Sequence, residues 1–269
     1  MSDVSNQNKG PIARFLAAPP DSVGKTVFIA VSLCLVASMI VSAVSVALRP
    51  MQEQNKLKDK QANVLQVAGL YEDGMDVIEG FSVFEPQVLE LATGTFTDQF
   101  DPATFDDRAA AADPELSARL TDDPAGIGRQ AKFVTVYLLR NNDGSLDKVI
   151  LPIHGYGLWS TLYGFIALEE NGNDIFGLQF YDHGETPGLG AEIDNPRWKA
   201  LWNGKRLSDD DGTLQITVAK AAPPAGAEHH VDALAGATLT SFGVDNLVRC
   251  WMGEAGFAPF LENLKAGEI

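Results

Sequence analysis

The sequence predicts an α+β protein, in which one apolar N-terminal helix crosses a membrane and precedes an antiparallel-sheet domain with flanking helices. Three observations carry this prediction. Residues 27–48 hold no charged side chain, and residues 132–183 contain strand-like runs separated by turn residues. Outside the acidic segment 72–128, helical periodicity is confined to the segment after residue 48, to residues 196–202 and to the C-terminal third. This distribution of strands and helices favours the α+β class.

The apolar segment 27–48 predicts a transmembrane helix. As a helix it would be about 33 Å long, which is enough to cross the hydrocarbon core of a bilayer. A cleaved signal peptide is the alternative. However, the segment starts late, exceeds the usual apolar length of a signal, and is followed by Arg49 and Pro50, not by small residues. Residues 1–26 then form an N-terminal tail.

Segment 49–70 predicts a stalk helix that docks onto the domain formed by residues 71–269. The apolar residues Leu57, Val64, Leu65 and Val67 recur there among polar ones. Residues 72–128 are acidic, with short helical patterns at 88–91 and 114–120.

Two hairpins are predicted next, because apolar runs flank short turns. Runs 132–140 and 147–155 enclose Asn142, Asp143 and Gly144, and runs 162–170 and 174–183 enclose Asn171 and Gly172. Further strands are predicted at 214–219 and 230–231, a short helix at 196–202, and an amphipathic helix that begins near residue 238.

Charge and missing motifs exclude several function classes. Residues 1–60 hold seven basic and four acidic side chains, so with a net charge of −16 for the chain, residues 61–269 carry −19. Such a domain repels nucleic acid. The four histidines and two cysteines show no zinc or iron–sulfur spacing, so we expect no metal. Without a Walker A or complete G-x-G-x-x-G motif, we expect neither NADH binding nor a catalytic residue.

The segment DALAGATLTS at 232–241 predicts a phosphate site. Gly236 and Ala237 allow close approach, and the hydroxyls of Thr238, Thr240 and Ser241 flank Leu239 at the start of the predicted helix. Helix N-termini attract phosphate. On local physics alone, a small-residue turn with a hydroxyl N-cap fits equally well.

Two further clusters have a functional and a plain structural interpretation. In ETPGLG, Pro187 restricts the backbone while glycines free it, which suits a flat ligand or a simple turn. In GLWS, Trp159 either provides an aromatic face on which a flat ligand can stack or is a core residue. Lys205 is a cation for a cofactor or an ordinary solvated lysine. The candidate binding residues of these clusters are Glu185, Thr186, Gly188, Leu189, Gly190, Gly157, Leu158, Trp159 and Lys205.

The three clusters together resemble the C subunit of the Na⁺-translocating NADH:quinone reductase, a family of covalent FMN-binding domains. The pattern from Asp232 through Gly236 and Ala237 to Thr238 resembles its flavinylation motif, in which the last threonine carries FMN in phosphoester linkage. Ala235 stands where the family usually has Ser or Thr. The resemblance implies that Thr238 is the acceptor and that the ETPGLG and GLWS residues line the flavin.

The resemblance also implies electron relay within a six-subunit membrane complex that passes electrons from NADH to ubiquinone. It further implies maturation by a flavin transferase that uses FAD, and a domain on the periplasmic side of a bacterial inner membrane. The basic residues flanking the span do not decide the orientation. The alternatives are the G subunit of an Rnf-type electron-transfer complex, a membrane-anchored module that binds another ligand, and a purely structural subunit.

Overall fold

A computed structural model describes residues 22–221 and 227–269, together with Phe15 and Pro19. The chain divides into two units, Met1–Leu57 and Lys58–Ile269, which are described separately below. The predicted N-terminal tail, 1–26, lies mostly outside the described residues.

The first helix, α1, runs over Val23–Val67 and contains the predicted span and most of the predicted stalk. Of the described helices, it alone is long and apolar enough to cross a membrane, by length and composition. Its apolar side chains in the first unit are exposed, as at Leu33 (68%) and Met39 (63%). Leu57, predicted to dock onto the domain, is exposed as well, at 53%.

The second unit is built on a seven-stranded antiparallel sheet in the order β2-β1-β5-β6-β7-β8-β9. The strands are β1 (Phe84–Glu90), β2 (Thr95–Phe96), β3 (Ser117–Arg119), β4 (Arg129–Ala131), β5 (Phe133–Arg140), β6 (Leu146–Tyr156), β7 (Thr161–Glu169), β8 (Asp174–Asp182), β9 (Lys205–Arg206), β10 (Thr217–Ala219) and β11 (His230–Asp232). Strands β3 and β4 form a separate antiparallel ribbon, and β10 and β11 pair in parallel.

The remaining helices lie before, between and after these strands. They are α2 (Val77–Phe81), α3 (Asp107–Ala112), α4 (Pro196–Lys199), α5 (Thr238–Met252) and α6 (Ala258–Ala266), with 3-10 turns at Gly190–Asp194, Ala200–Trp202 and Ala227–His229. The predicted helix at 196–202 is therefore α4 and the 3-10 turn after it. The predicted amphipathic helix is α5, and together these elements confirm the α+β class.

Both predicted hairpins are confirmed. Strands β5 and β6 join through a turn in which Gly144 has a φ of +85°, and β7 and β8 through a turn in which Gly172 has a φ of +63°. Positive φ values favour glycine, which explains the turn residues in the sequence. Strands β6 and β7 form a third hairpin, whose tip holds Gly157–Ser160 and closes with a 2.8 Å hydrogen bond between these two residues.

The two helical patterns predicted within 72–128 were wrong. Residues 88–90 belong to β1, and residues 117–119 form β3. Strand β1 lies between β2 and β5, and its adjacent residues Val88 and Leu89 are both fully buried. A strand buried on both faces loses the alternation that distinguishes it from a short helix, so the pattern misled the prediction.

The sheet has an apolar core on each face. On β5, Val134, Val136 and Leu138 belong to one core, and Tyr137 and Leu139 to the other, as strand alternation requires. Helix α5 contributes to the first core, and the C-terminal end of α1 contributes to the second. The sheet therefore holds α5, and the loop before it, on the opposite face from the C-terminal end of α1.

The end of α1 is part of the domain core. Val64 and Leu65 are 0% and 1% exposed, and Asn63 Oδ1 accepts a 3.0 Å hydrogen bond from Gln179 on β8. We expect Leu65→Ala to lower the free energy of unfolding by about 2–5 kcal/mol, since it removes buried methyl groups and leaves a cavity. Denaturant titration followed by tryptophan fluorescence measures the change. Ile78→Ala is the matched control, because Ile78 is 57% exposed and its loss should change stability by less than about 0.5 kcal/mol.

Candidate functional site

The site forms where three segments meet: the tip of the β6–β7 hairpin, the loop after β8, and the start of α5. Glu185, in the loop after β8, connects all three. Its Oε1 accepts 2.9 Å hydrogen bonds from the amides of Leu158 and Trp159, and its Oε2 accepts a 2.6 Å hydrogen bond from the Thr240 hydroxyl. The structure thus brings together the three sequence clusters that were singled out separately.

Glu185 is buried and ionised. Burial alone would raise the pKa of its carboxyl, but hydrogen bonds from Thr240 and from the amides of Trp159 and Leu158 outweigh burial and lower the pKa below its ordinary value. A carboxylate that accepts several hydrogen bonds is stabilised in its charged form. The site therefore contains a fixed negative charge close to the first turn of α5.

Two glycines leave room for this carboxylate. A Cβ at Gly190 would lie 2.5 Å from Glu185 Oε2 and 2.6 Å from Thr240 Oγ1, and one at Gly157 would lie 2.7 Å from Glu185 Oε1. Neither position can carry a side chain without displacing these groups. Gly157 and Gly190 were predicted from the sequence as ligand contacts, and the structure gives a further reason for glycine at both positions, namely the close packing of Glu185.

Gly188 and Gly236 have a different role. Their φ values are +74° and +78°, which favour glycine, and a Cβ at Gly188 would meet open space. Both lie in exposed turns, and a Cβ at Gly236 would lie 3.5 Å from Leu189. The carbonyl of Thr186 closes the first turn by accepting from the amides of Leu189 and Ala191 at 3.1 Å.

The three hydroxyls at the start of α5 have different surroundings. Thr240 is fully buried and donates to Glu185. Ser241, 2% exposed, accepts from the amide of Leu234 and donates to the carbonyl of Ala237, both at 3.0 Å. Thr238, the first residue of α5, is only partly buried. Of the three, Thr238 is the one that solvent reaches without a change in the fold.

The N-terminus of α5 is open to an anion. Ala237 occupies the cap position, and among the described residues no side chain caps this end of the helix. The first amides of a helix lack partners within it and carry the positive end of the helix dipole. A phosphate bound here would therefore find hydrogen-bond donors beside the Thr238 hydroxyl.

Large apolar side chains are exposed on all three segments of the site. They are Trp159 (64%), Leu239 (58%), Phe242 (55%), Tyr156 (49%), Leu189 (46%) and Leu158 (37%). Phe242 lies one turn after Thr238 in the helix predicted to be amphipathic, and it is exposed. Neither Phe242 nor Tyr156 was predicted as a binding residue. Exposed apolar patches of this kind mark ligand or protein contacts.

One predicted residue, Lys205, lies apart from the cluster. Lys205 pairs with Ile175 at the start of β8, about 23 Å along the strand from its end at Asp182, and donates to the Ala227 carbonyl at 2.7 Å. Contrary to expectation, Lys205 is therefore not at this site. Asp232 ends β11, and its exposed carboxylate lies 3.1 Å from His230. No group of acidic, histidine or cysteine side chains in the described chain has the arrangement of a metal site.

His154, three residues before the hairpin tip, is held neutral. Its ring stacks on Tyr163 and lies 5.0 Å from that of Trp251. Burial, followed by the charge of Arg108, lowers the pKa of His154 from 6.5 to about 4.

We expect this histidine to make the domain less stable in acid. The folded pKa lies below the unfolded one, so its contribution is present above pH 6.5 and is lost as the pH falls towards 4. The free energy of unfolding, measured against pH, should therefore depend less on pH in His154→Gln than in the wild type across this window. Equal pH slopes would contradict the buried neutral state.

Comparisons with known proteins show which family the chain is similar to. The sequence model of the FMN-binding domain family matches residues 157–253, a range that includes every predicted binding residue. The C subunit of the Na⁺-translocating NADH-quinone reductase of Pseudomonas aeruginosa is 49% identical over 93% of this chain and 99% of its own length. Its counterpart in Yersinia pestis is 48% identical over 93% of this chain and 96% of its own.

Solved structures show the same fold. A crystal structure of Shewanella oneidensis NqrC has a TM-score of 0.74 and 37% identity, over 79% of this chain and 99% of that one. A crystal structure of the C subunit of the Na⁺-translocating NADH-quinone reductase from Parabacteroides distasonis has a TM-score of 0.64 and 28% identity, over 80% and 96%.

Proposed function

Since this chain belongs to the NqrC family, the C subunits of the Na⁺-translocating NADH-quinone reductases, we propose that it is an electron-carrying subunit of such a complex, with FMN joined to Thr238. The family and the domain match support FMN as the cofactor. We further propose that the FMN is linked covalently and that Thr238 carries the link.

The observation that carries this assignment is the difference among the three hydroxyls. Thr240 and Ser241 are buried and their hydroxyls are hydrogen-bonded within the protein, whereas Thr238 is accessible at the uncapped start of α5. An acceptor must reach the phosphorus of an incoming flavin nucleotide, and Thr238 alone meets that condition without unfolding of the first turn.

The residues of the site fit FMN. The free amides at the start of α5 suit a phosphoester, and the exposed apolar side chains offer a surface for the isoalloxazine ring. The ring supplies redox chemistry, because it takes up and releases electrons. The protein holds it at a fixed position and at high effective concentration, because a tethered cofactor cannot diffuse away.

Attachment is a group transfer to Thr238. Its Oγ attacks the FMN phosphorus of FAD, the bond from that phosphorus to the bridging oxygen breaks, and AMP leaves. The hydroxyl proton passes to a base of the flavin transferase. No electron is gained or lost in this step, so the proposal needs the transferase and FAD but no oxidant.

The membrane assignment follows from α1. Its apolar segment indicates membrane anchoring. A single span, a periplasmic domain and a place among six subunits are part of the proposal, supported by the family resemblance. The side chains next to Thr238 remain exposed, as electron exchange with a neighbouring subunit requires.

Expression with a flavin transferase tests the function. We expect the purified, denatured chain to retain a flavin absorbance, and the folded chain to lose that absorbance on reduction and regain it on reoxidation. A chain that stays colourless would support the rival interpretations, a module for another ligand or a structural subunit. The control is expression without the transferase, which should give a colourless chain of the same fold.

A further inference from the structure

We infer that Glu185 is a positioning residue for the attachment step, acting through Thr240 and the hairpin tip and not through contact with the flavin. The inference rests on the proposed function, because it concerns how Thr238 is presented to a flavin transferase. It replaces the expectation from family resemblance that Glu185 lines the ring.

The burial of Glu185 argues against contact with a ligand. Its residue surface is 5% exposed, and both carboxylate oxygens already accept hydrogen bonds from within the protein. The glycine positions 157 and 190 approach so closely that a Cβ at either would lie within 2.7 Å of the carboxylate. The carboxylate is therefore enclosed by the chain itself, and its exposed neighbours are the ones available to the flavin.

The hydrogen bonds of Glu185 hold the region around Thr238, the residue that accepts the flavin, from two sides. Thr240 is the third residue of α5, so its hydrogen bond to Oε2 holds the first turn, in which Thr238 is the first residue. The two amides bound to Oε1 hold Leu158 and Trp159 at the hairpin tip. One side chain thus sets the distance between the acceptor hydroxyl and the exposed surface at the tip.

The hydrogen-bond pattern predicts which substitutions are tolerated. In Glu185→Gln, the amide oxygen can accept from both backbone amides while the NH₂ group donates to the Thr240 oxygen, whose own proton then turns away. The geometry is kept although the charge is lost. Glu185→Ala and Thr240→Val each break the link to the first turn, so Thr238 is no longer held.

The experiment measures transfer of FMN from FAD to the full-length chain by purified flavin transferase, with the chain as varied substrate. We expect Glu185→Ala and Thr240→Val each to lower kcat for transfer about 100-fold, because misplacement of a reacting group by about 1 Å has an effect of this size. The double variant should be no slower than the slower of the two single variants, since each single substitution already removes the hydrogen bond between Thr240 and Glu185. Glu185→Gln should stay within about threefold of the wild type.

Comparing kcat with the apparent KM distinguishes a misplaced Thr238 from a chain that has lost its fold. A folding defect reduces the concentration of competent acceptor, which raises the apparent KM and leaves kcat unchanged, whereas a misplaced threonine lowers kcat itself. Glu192→Ala is the matched control, because Glu192 lies on the same loop and its carboxylate binds Asn195 instead. Its kcat should equal that of the wild type.

Several outcomes would overturn the inference. They are a wild-type kcat in Glu185→Ala or in Thr240→Val, multiplicative effects in the double variant, and loss of kcat in Glu185→Gln equal to that in Glu185→Ala. If Glu185→Ala does not fold, the kcat of Thr240→Val decides alone. Failure of the wild type to accept FMN at Thr238 would instead refute the proposed function, so the two failures are distinguishable.

Discussion

Thr238→Ala abolishes covalent flavin while the domain keeps its fold. The expected incorporation is zero, because Thr240 and Ser241 are buried and hydrogen-bonded and cannot replace the lost hydroxyl. Stability should change little, since Thr238 is only partly buried and makes no side-chain cap at the start of its helix. In-gel flavin fluorescence after denaturation measures incorporation, and circular dichroism measures the fold.

Thr238→Ser is the matched variant for this prediction. It keeps the hydroxyl at the same helix position, so it should still accept FMN, at a rate that reports the loss of the methyl group. Retention of denaturation-resistant flavin in Thr238→Ala would mean that another side chain is the acceptor, and the role assigned to the first residue of α5 would be wrong.

Gly190→Ala should disrupt both the stability of the domain and its flavinylation. The added Cβ would lie 2.5 Å from Glu185 Oε2 and 2.6 Å from Thr240 Oγ1, between the two groups that hold the acceptor turn. Overpacking of this kind costs about 1–3 kcal/mol. Separation of the buried carboxylate from its donor adds about 1–3 kcal/mol more. Denaturant titration should detect this loss, and the kcat for FMN transfer should fall in parallel.

A nearby glycine provides the comparison. Gly188 also lies in the ETPGLG loop, but its surroundings are open and its φ of +74° is one that asparagine tolerates. Gly188→Asn should therefore lower stability less than Gly190→Ala does, and it should leave the kcat for FMN transfer close to wild type. Equal behaviour of the two glycine variants would show that the loop is sensitive to any substitution, and not to crowding at Glu185.

The fold was predictable where periodicity and turn chemistry coincide. The two hairpins and the start of α5 carry alternation, Asn-Gly-type turns and helical spacing together, and all were predicted correctly. Strand β1 was not, because burial on both faces removes alternation. Leu57 was assigned to the docking face from helical spacing alone, and its side chain is exposed.

The site was predictable as three motifs but not as an arrangement. Nothing in the sequence shows that Glu185 reaches both Leu158 and Thr240, because those contacts join residues that are 27 and 55 positions apart. The exposure of Phe242 was not predictable either, since helical spacing alone does not show which apolar residues of a helix stay exposed. Lys205 was placed at the site by its charge, and strand pairing carries it to the far end of β8.

The most direct test of the central claim is intact mass with peptide mapping of the chain expressed beside a flavin transferase. We expect a gain equal to FMN less one water, located on Thr238. An unmodified mass, or the same gain on Thr240 or Ser241, would contradict the account. An unmodified mass would show that the flavin is not covalently attached, and a gain on Thr240 or Ser241 would show that the buried hydroxyls become accessible.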